Sequence, residues 1–211
     1  MTTEQKIQAI KDAIEKAKNH QSKMDETAWS VPALSSLKIR HLMNNLGAIS
    51  TRYQECGVHK GGLFCSAIRN NNLEWAVAND NWASDDVSED KAYPQFIDNV
   101  SKCVSPSTNF VCFKSDTFDL VPDEIGFDLY LFDADHSYES QRKAMTHFLP
   151  AMADEFILCV DDHDWQDVWL GTHDGLKEAN VDILFEEPFK GGDHDNDGWW
   201  NGFYVALLKK K

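Results

Sequence analysis

The chain has 211 residues, which fits one domain with a sizeable buried core and leaves no room for a second catalytic domain. Hydrophobic residues make up 42% and aromatics 11%, with seven Trp and twelve Phe, so a packed globular core is expected and disorder is excluded. Thirty-five acidic against twenty basic residues give a formal net charge of −15, which repels phosphate backbones and anionic lipid surfaces, so neither nucleic acid nor membrane is an expected partner.

The longest apolar runs, 156–160 and 203–208, are far short of the roughly 20 residues that cross a bilayer. The first twenty residues, MTTEQKIQAIKDAIEKAKNH, are charged throughout and lack the apolar core of a secretion signal. The five cysteines (Cys56, Cys65, Cys103, Cys112, Cys159) are odd in number and form no Cys-x-x-Cys pair. They read as reduced thiols of a cytoplasmic protein.

From Thr3 to about His20, Ile7, Ile10, Ile14 and Ala17 follow helical spacing, which predicts an amphipathic helix that packs or acts as a lid. A second helix is predicted over residues 32–46, with Ser30 as cap, Pro32 in the first turn and Leu34, Leu37, Leu42 and Leu46 on its apolar positions. Short apolar runs follow at 52–56, 75–78, 110–113, 129–132 and 156–160, the last three nearly continuous, as in strands covered on both faces. Helices are predicted between them over 63–71, 87–103, 138–153 and 165–179. This alternation predicts a mainly parallel α/β sheet. Two last runs, 182–185 and 203–208, flank an Asp- and Gly-rich loop and read as an antiparallel hairpin. No repeat or linker interrupts the chain, so residues 1–211 are expected to form one unit: helices to residue 48, then a ligand-binding core over 49–211.

Open parallel sheets bind ligands beyond the carboxyl ends of their strands, so the residues there carry the chemistry. After the first strand, YQECGVHKGG places Glu55 before Gly57, with Gly61 and Gly62 at the next helix start. The Gly-x-Gly-x-x-Gly spacing of a dinucleotide site is absent. An acid ahead of the first glycine suits a ligand with positive charge, such as an ammonium or sulfonium; a glycine-rich turn without ligand is the plainer alternative. The second strand ends NDNW, where Asp80 is placed to accept hydrogen bonds from ribose hydroxyls and Trp82 either stacks on a ring or packs in the core. After the third strand, Ser115 and Asp116 either contact a purine edge or form a simple turn.

The fourth and fifth strands end FDLYLFDADHSYES and EFILCVDDHDW. As neighbours about 4.8 Å apart they bring Asp133, Asp161 and Asp162 into one volume. Such carboxylates repel unless a cation sits among them, either a divalent metal such as magnesium or a positively charged cofactor bound at the same rim. His136 and His163 stand beside them as candidate general bases. The aspartates can also serve as turn formers and helix caps, Asp135 and Asp164 in particular. Asp193, Asp195 and Asp197 followed by Gly198 imitate a calcium loop, but its twelfth position is Tyr204 where a bidentate Glu is required, so no such site is expected. Trp199 and Trp200 in that loop either pack beneath it or line an acceptor pocket.

Taken in order, E-x-G-x-x-x-G, NDNW, FDLYLFDADHSYES and VDDHDW resemble class I S-adenosylmethionine-dependent methyltransferases, most closely a small group with an Asp-x-Asp-His-Ser-Tyr-Glu motif, here residues 133–139. The resemblance spans about 37–208. It implies a Rossmann-like seven-stranded sheet of order 3-2-1-4-5-7-6, strand seven antiparallel, with helices on both faces and the N-terminal helices added. Glu55, Gly57 and Gly61 would border the methionine part of S-adenosylmethionine, with Asp133 close by. Asp80, Asn81 and Trp82 would border the ribose, and Ser115 and Asp116 the adenine. The aspartates are also similar to those of metal-dependent O-methyltransferases acting on catechols or sugars, which implies that Asp133, Asp161 and Asp162 hold Mg²⁺; beside them the candidate catalytic groups are Asp133 and, as base, His136 or His163. Two features depart from the pattern: Met152-Ala153-Asp154-Glu155 replaces the usual Gly-Gly turn before strand five, and Arg52 and Gln54 make the first strand polar.

The expected activity is therefore methyl transfer from S-adenosylmethionine to a small molecule, metal-assisted where the acceptor is a hydroxyl. Two alternatives use the same sheet: an NAD-dependent oxidoreductase, disfavoured by the missing phosphate-binding glycine, and a non-catalytic module that binds the cofactor without turnover. The residues specify neither the acceptor nor the oligomeric state.

Overall fold

The computed structural model describes every residue except 84–90, 123 and 193–195. The start of the helix predicted at residue 87, and Asp193 and Asp195 of the calcium-like loop, therefore lie outside the described residues.

The chain opens with α1 (Thr3–Lys18). Thr2 caps it by accepting from the Gln5 amide while the Gln5 side chain accepts from the Thr2 amide, and Ile10, Ala13, Ile14 and Ala17 form the buried stripe. Thr3 Oγ1 and Lys6 Nζ bond Glu155 at 2.8 and 3.0 Å, fastening the helix to the sheet.

The helix expected over 32–46 is shorter and differently capped. A one-turn helix, α2 (Glu26–Trp29), is capped by Asp25, and α3 (Leu37–Gly47) begins only after Ser36, whose hydroxyl accepts from Ile39 N. Ser36 satisfies an otherwise orphaned amide of the first turn. Pro32 and Leu34 consequently fall in the turn between the helices and not on a core stripe.

Seven strands follow: β1 (Arg52–Cys56), β2 (Trp75–Asp80), β3 (Asn109–Lys114), β4 (Phe127–Phe132), β5 (Met152–Asp161), β6 (Asp182–Phe189) and β7 (Phe203–Lys209). Their order is β3-β2-β1-β4-β5-β7-β6, with β7 antiparallel to both neighbours and the remaining pairs parallel, as the sequence implied. The connecting helices are α4 (Gly62–Ile68), α5 (Ala92–Cys103), α6 (Tyr138–His147) and α7 (Gln166–Ala179). The helix predicted to run to residue 153 stops at His147. Leu149–Ala151 form a 3₁₀ turn containing Pro150, which has no amide to continue the ladder, and Met152 already starts β5.

Side chains alternate across the sheet and build two cores. Leu129 and Leu131 join Tyr53, Ile157 and Cys159 on the face covered by α1, α3, α4 and α5. Tyr130 and Phe132 join Leu158, Val160 and Tyr204 on the face covered by α6 and α7. β3, expected to be covered on both faces, is an edge strand with Phe113 42% exposed. Among the described residues the connection from β3 to β4 supplies a 3₁₀ turn (Thr117–Asp119), too little to cover it. All five cysteines are free thiols, four of them buried.

α7 lies against the backbone of α6 through two glycines one turn apart. A Cβ at Gly171 would lie 2.5 Å from Tyr138 O, and one at Gly175 2.5 Å from Arg142 O. Alanine is the better helix former by about 1 kcal/mol. Collision with a fixed carbonyl costs about 1–3 kcal/mol. Gly171→Ala is expected to lower stability by about 1–2 kcal/mol, read as a reduced urea midpoint; a raised midpoint would show that α7 moves freely on α6.

Buried His41 accepts or donates at Nδ1 with Ser22 Oγ at 2.8 Å and stacks near His20. Burial, with the charges of His20 and Arg40 adding, lowers its pKa from 6.5 to about 4. The unfolded chain takes this proton near pH 6.5 and the folded chain only near 4. The His41 contribution is therefore complete above pH 6.5 and is lost as pH falls toward 4. Urea unfolding across that window is expected to show falling stability that His41→Gln flattens, and an NMR titration of His41 near 6.5 would refute it.

Candidate active site

Register aligns the strand ends. Cys56 pairs with Asn79 and Phe132, Phe132 with Val160, and Asp80 with Lys114, so the segments after β1, β2, β4 and β5 open on one rim. A cavity of about 640 Å³ lies there. Glu55, Gly57, Asp80, Asn81, Asp116, Asp133, His136 and Asp162, all predicted from sequence, line it. Gly61, Trp82, Ser115, Asp161 and His163, also predicted, are not among its lining residues.

At the β1 end, Gly57 has φ +90, and a Cβ there would lie 1.9 Å from Asp133 O. Only glycine allows the two loops to approach this closely. Glu55 is buried and accepts a hydrogen bond from the Tyr53 hydroxyl, two residues back on the same face of the strand. Burial pushes the Glu55 pKa well up, opposed by that hydrogen bond and reinforced by Asp133 and Asp80.

Asp80 accepts from His59 N at 2.8 Å and Trp82 N at 2.7 Å, one amide on each carboxylate oxygen. Trp82 packs beneath, against Tyr93 and Phe96, and donates Nε1–H to His59 O at 2.7 Å. It thus takes the core position that the sequence left open. Ser115 is turned toward Asn79, whose Nδ2 donates to Ser115 O (3.0 Å), while Asn79 Oδ1 accepts from Thr117 Oγ1 (2.9 Å). Thr117 and Phe118 border the cavity beside Asp116.

At the β4 and β5 ends, His136 Nε2 lies 3.0 Å from Asp162 Oδ2 and 3.5 Å from Asp133 Oδ1. The angles make these ion contacts, since the buried Nε2 has no directed hydrogen bond among the described residues. Burial lowers the His136 pKa, but Asp133 and Asp162 outweigh it and raise it to about 10. Asp133 is pushed up to about 6 by burial, against the pull of His136. Asp162 adopts φ 52 and is held by Asn201 Nδ2, which donates to its Oδ1 at 2.7 Å.

Asp133, His136 and Asp162 each offer one atom within 4.8 Å of the others, a grouping able to hold a metal ion. An imidazole nitrogen and two carboxylates, with the nitrogen lacking a directed partner, fit a divalent cation. Asp161 stands outside this group. It is buried, accepts from Asp162 N at 3.0 Å, and burial raises its pKa well above the usual carboxylate range. His163 is buried too, stacked on Tyr204 at 4.7 Å, with Nε2 unpartnered among the described residues and its pKa lowered by burial to about 4. Asp135 accepts from Ser137 N and Oγ, while Ser137 caps α6. Asp164 accepts from Gly191 N and so fastens the β6–β7 connection.

Asn79, Asn201, Trp165, and Pro32 through Leu34 were not singled out from the sequence as site residues. Tyr53 and Glu55 were detectable as an i, i+2 pair on one strand face. Asn201 and Leu34 reach the site from remote segments and carry no local signal.

The chain matches a family model described as a methyltransferase domain over residues 54–163, more than half its length. No curated protein matches it. Among solved structures it is similar to cofactor-bound Rv0187 from MTB, with 18% identity over 96% of this chain and 90% of that chain and a TM-score of 0.56. It is similar to an O-methyltransferase from Bacillus cereus in complex with SAH (11% identity, 96% and 91% covered, TM-score 0.56). A third similar structure is the O-methyltransferase TomG from Streptomyces achromogenes in complex with SAM (15% identity, 94% and 90% covered, TM-score 0.58). These likenesses are of fold. With more than half its length matched and the strand order implied by its motifs in place, the chain belongs to the methyltransferase-domain family and has the class I methyltransferase fold.

Proposed function

We propose that the protein transfers a methyl group from S-adenosylmethionine to a hydroxyl of a small molecule, with a divalent cation held by Asp133, His136 and Asp162. The observation that carries this reading is the charge of the cavity. Its described lining holds Glu55, Asp80, Asp116, Asp133, Asp135 and Asp162 and neither Lys nor Arg. S-adenosylmethionine brings an ammonium and a sulfonium against a single carboxylate, so it is net cationic, and it has no phosphate. The pyrophosphate of NAD would bring two negative charges to a described lining that has neither Lys nor Arg, which disfavours the oxidoreductase alternative. The resemblance to O-methyltransferases bound to SAH and SAM supports the same choice.

In this reading Glu55 and Asp133 receive the methionine end and Asp80 the ribose, while Asp116, Thr117 and Phe118 border the base. Asp133, His136 and Asp162 hold the acceptor oxygen in line with the methyl carbon, where orientation lowers the barrier. The hydroxyl proton leaves to the carboxylate of Asp133, whose pKa burial pushes up to about 6. The cation, when bound, lowers the acceptor pKa as a Lewis acid. His136 replaces Asp161 in the expected metal set, because it is the group placed with Asp133 and Asp162.

Calorimetry is expected to show binding of S-adenosylmethionine and none of NAD. Asp80→Ala is expected to weaken the former by about 10- to 100-fold through loss of charge-assisted hydrogen bonds. NAD binding alone would reverse the assignment. Mn²⁺ is expected to bind the wild type and broaden the NMR signals of residues around His136, and to do neither in Asp162→Ala. Identical behaviour of the two proteins would remove the cation from the reading.

A further inference from the structure

β1 carries a tyrosine where packing alone asks for an apolar side chain. Tyr53, its second residue, belongs to the core beneath α4 and α5 and is fully buried. Its ring stacks on Phe64 of α4 at 5.5 Å and 25°, and Phe64 in turn meets Phe96 and Phe110. Phenylalanine would fill the same space. The hydroxyl adds a buried polar group, which destabilises the fold unless it is hydrogen-bonded.

That hydroxyl donates to Glu55 Oε2, two residues on and on the same face of the strand. Glu55 is 1% exposed and lines the cavity, where Asp133 and Asp80 add negative charge to the effect of burial. A carboxylate so far from water keeps its charge only with a donor or a cation against it. Tyr53 is suited to be that donor and nothing else: burial and the adjoining Glu55 carboxyl push its own pKa well up, so the phenol stays protonated. A glutamate side chain turns about three torsions, and a bond from a ring that is itself packed holds Oε2 in one place and leaves Oε1 for a ligand.

We propose that Tyr53 is a positioning residue for the methyl donor, aiming the Glu55 carboxylate at the ammonium of S-adenosylmethionine and taking no part in holding the nucleoside. This rests on the methyl-transfer reading above, in which Glu55 receives the methionine end. The nucleoside end has its own supports. His59 N and Trp82 N hold the Asp80 carboxylate, and Asn79 holds the turn after β3 through Ser115 O and Thr117 Oγ1. None of these hydrogen bonds passes through Tyr53 or Glu55. The bond between ammonium and carboxylate is charge-assisted and depends on direction, so losing the Tyr53 hydroxyl is felt at the methionine end alone.

The test is calorimetry on the full chain with two ligands, S-adenosylhomocysteine and 5′-methylthioadenosine. The second keeps the nucleoside and the thioether but has no ammonium. Tyr53→Phe, which retains the packed ring, is expected to weaken S-adenosylhomocysteine about tenfold and to leave methylthioadenosine within about twofold of the wild type. Glu55→Gln is expected to show the same split. The variant carrying both changes is expected to bind S-adenosylhomocysteine no more weakly than Glu55→Gln does, because Tyr53 acts through Glu55. Unchanged S-adenosylhomocysteine affinity in Tyr53→Phe or in Glu55→Gln would overturn the inference. So would an equal loss of both ligands, losses that add in the combined variant, or a wild type that binds S-adenosylhomocysteine but not methylthioadenosine. Each of these leaves the methyl-transfer reading standing. Failure of the wild type to bind S-adenosylhomocysteine would instead overturn that reading, and this inference with it.

Discussion

The arrangement depends on how the end of β1 is shared between its two neighbours. Gly57 N donates to Asn79 O at the end of β2, and Asp133 N donates to Cys56 O just after β4, both at 2.8 Å. These bonds carry the parallel pairing to the last residues of the strands and bring the two loops into backbone contact. Beyond that point the chain departs to opposite faces, into α4 on one side and α6 on the other. Opposed departures from adjacent strands necessarily leave a crevice, and in open α/β sheets that crevice is the ligand site.

The crevice gathers negative charge at some cost to the fold. Glu55 and Asp161 are buried with raised pKa values, and burial raises Asp133 against the pull of His136. His59, Trp82, Asp162 and Asn201 all adopt left-handed backbone angles around it. Each such residue costs of order 1 kcal/mol or more. The two amides on Asp80 and the Asn201 bond to Asp162 hold these turns in place. A cationic ligand would relieve the repulsion among the carboxylates, so the same groups that weaken the empty protein would strengthen the complex.

Much of this was legible in the sequence because strand ends are local features. Continuous apolar runs located β4 and β5, and Asp133 and Asp162 after them, like Gly57 after β1, fell on the cavity because a parallel sheet puts all its carboxyl ends on one side. Where side-chain chemistry has two local solutions, the sequence left both open. Trp82 and Ser115 took the packing and turn alternatives because Phe96 and Asn79 were there to receive them, and neither contact is visible at short range. Pro32 suits a helix start as well as a turn. Ser36, able to cap Ile39 N, decided between them. Of two adjacent aspartates after β5, the backbone turn at φ 52 directs Asp162 to the cavity and leaves Asp161 buried, a distinction carried by geometry alone.

The two halves of the cavity also differ in how their sequence is stored. Glu55, Asp80, Asp116, Asp133, His136 and Asp162 come from the strand ends and lie within residues 54–163, the stretch that matches the methyltransferase domain. Pro32, Ala33, Leu34, Trp165, Trp200 and Asn201 border the same cavity from outside that stretch. They are held by contacts between remote segments: Leu37 N donates to Asn196 O at 3.1 Å, Asp164 N to Asn201 O at 2.9 Å, and Gly191 N to Asp164 Oδ2 at 2.8 Å. Loops tied to one another in this way can change their side chains without disturbing strand pairing or the turn at Gly57. Strand pairing therefore fixes the residues at the strand ends, while the 32–34 turn, Trp165 and Trp200 are placed by contacts between loops.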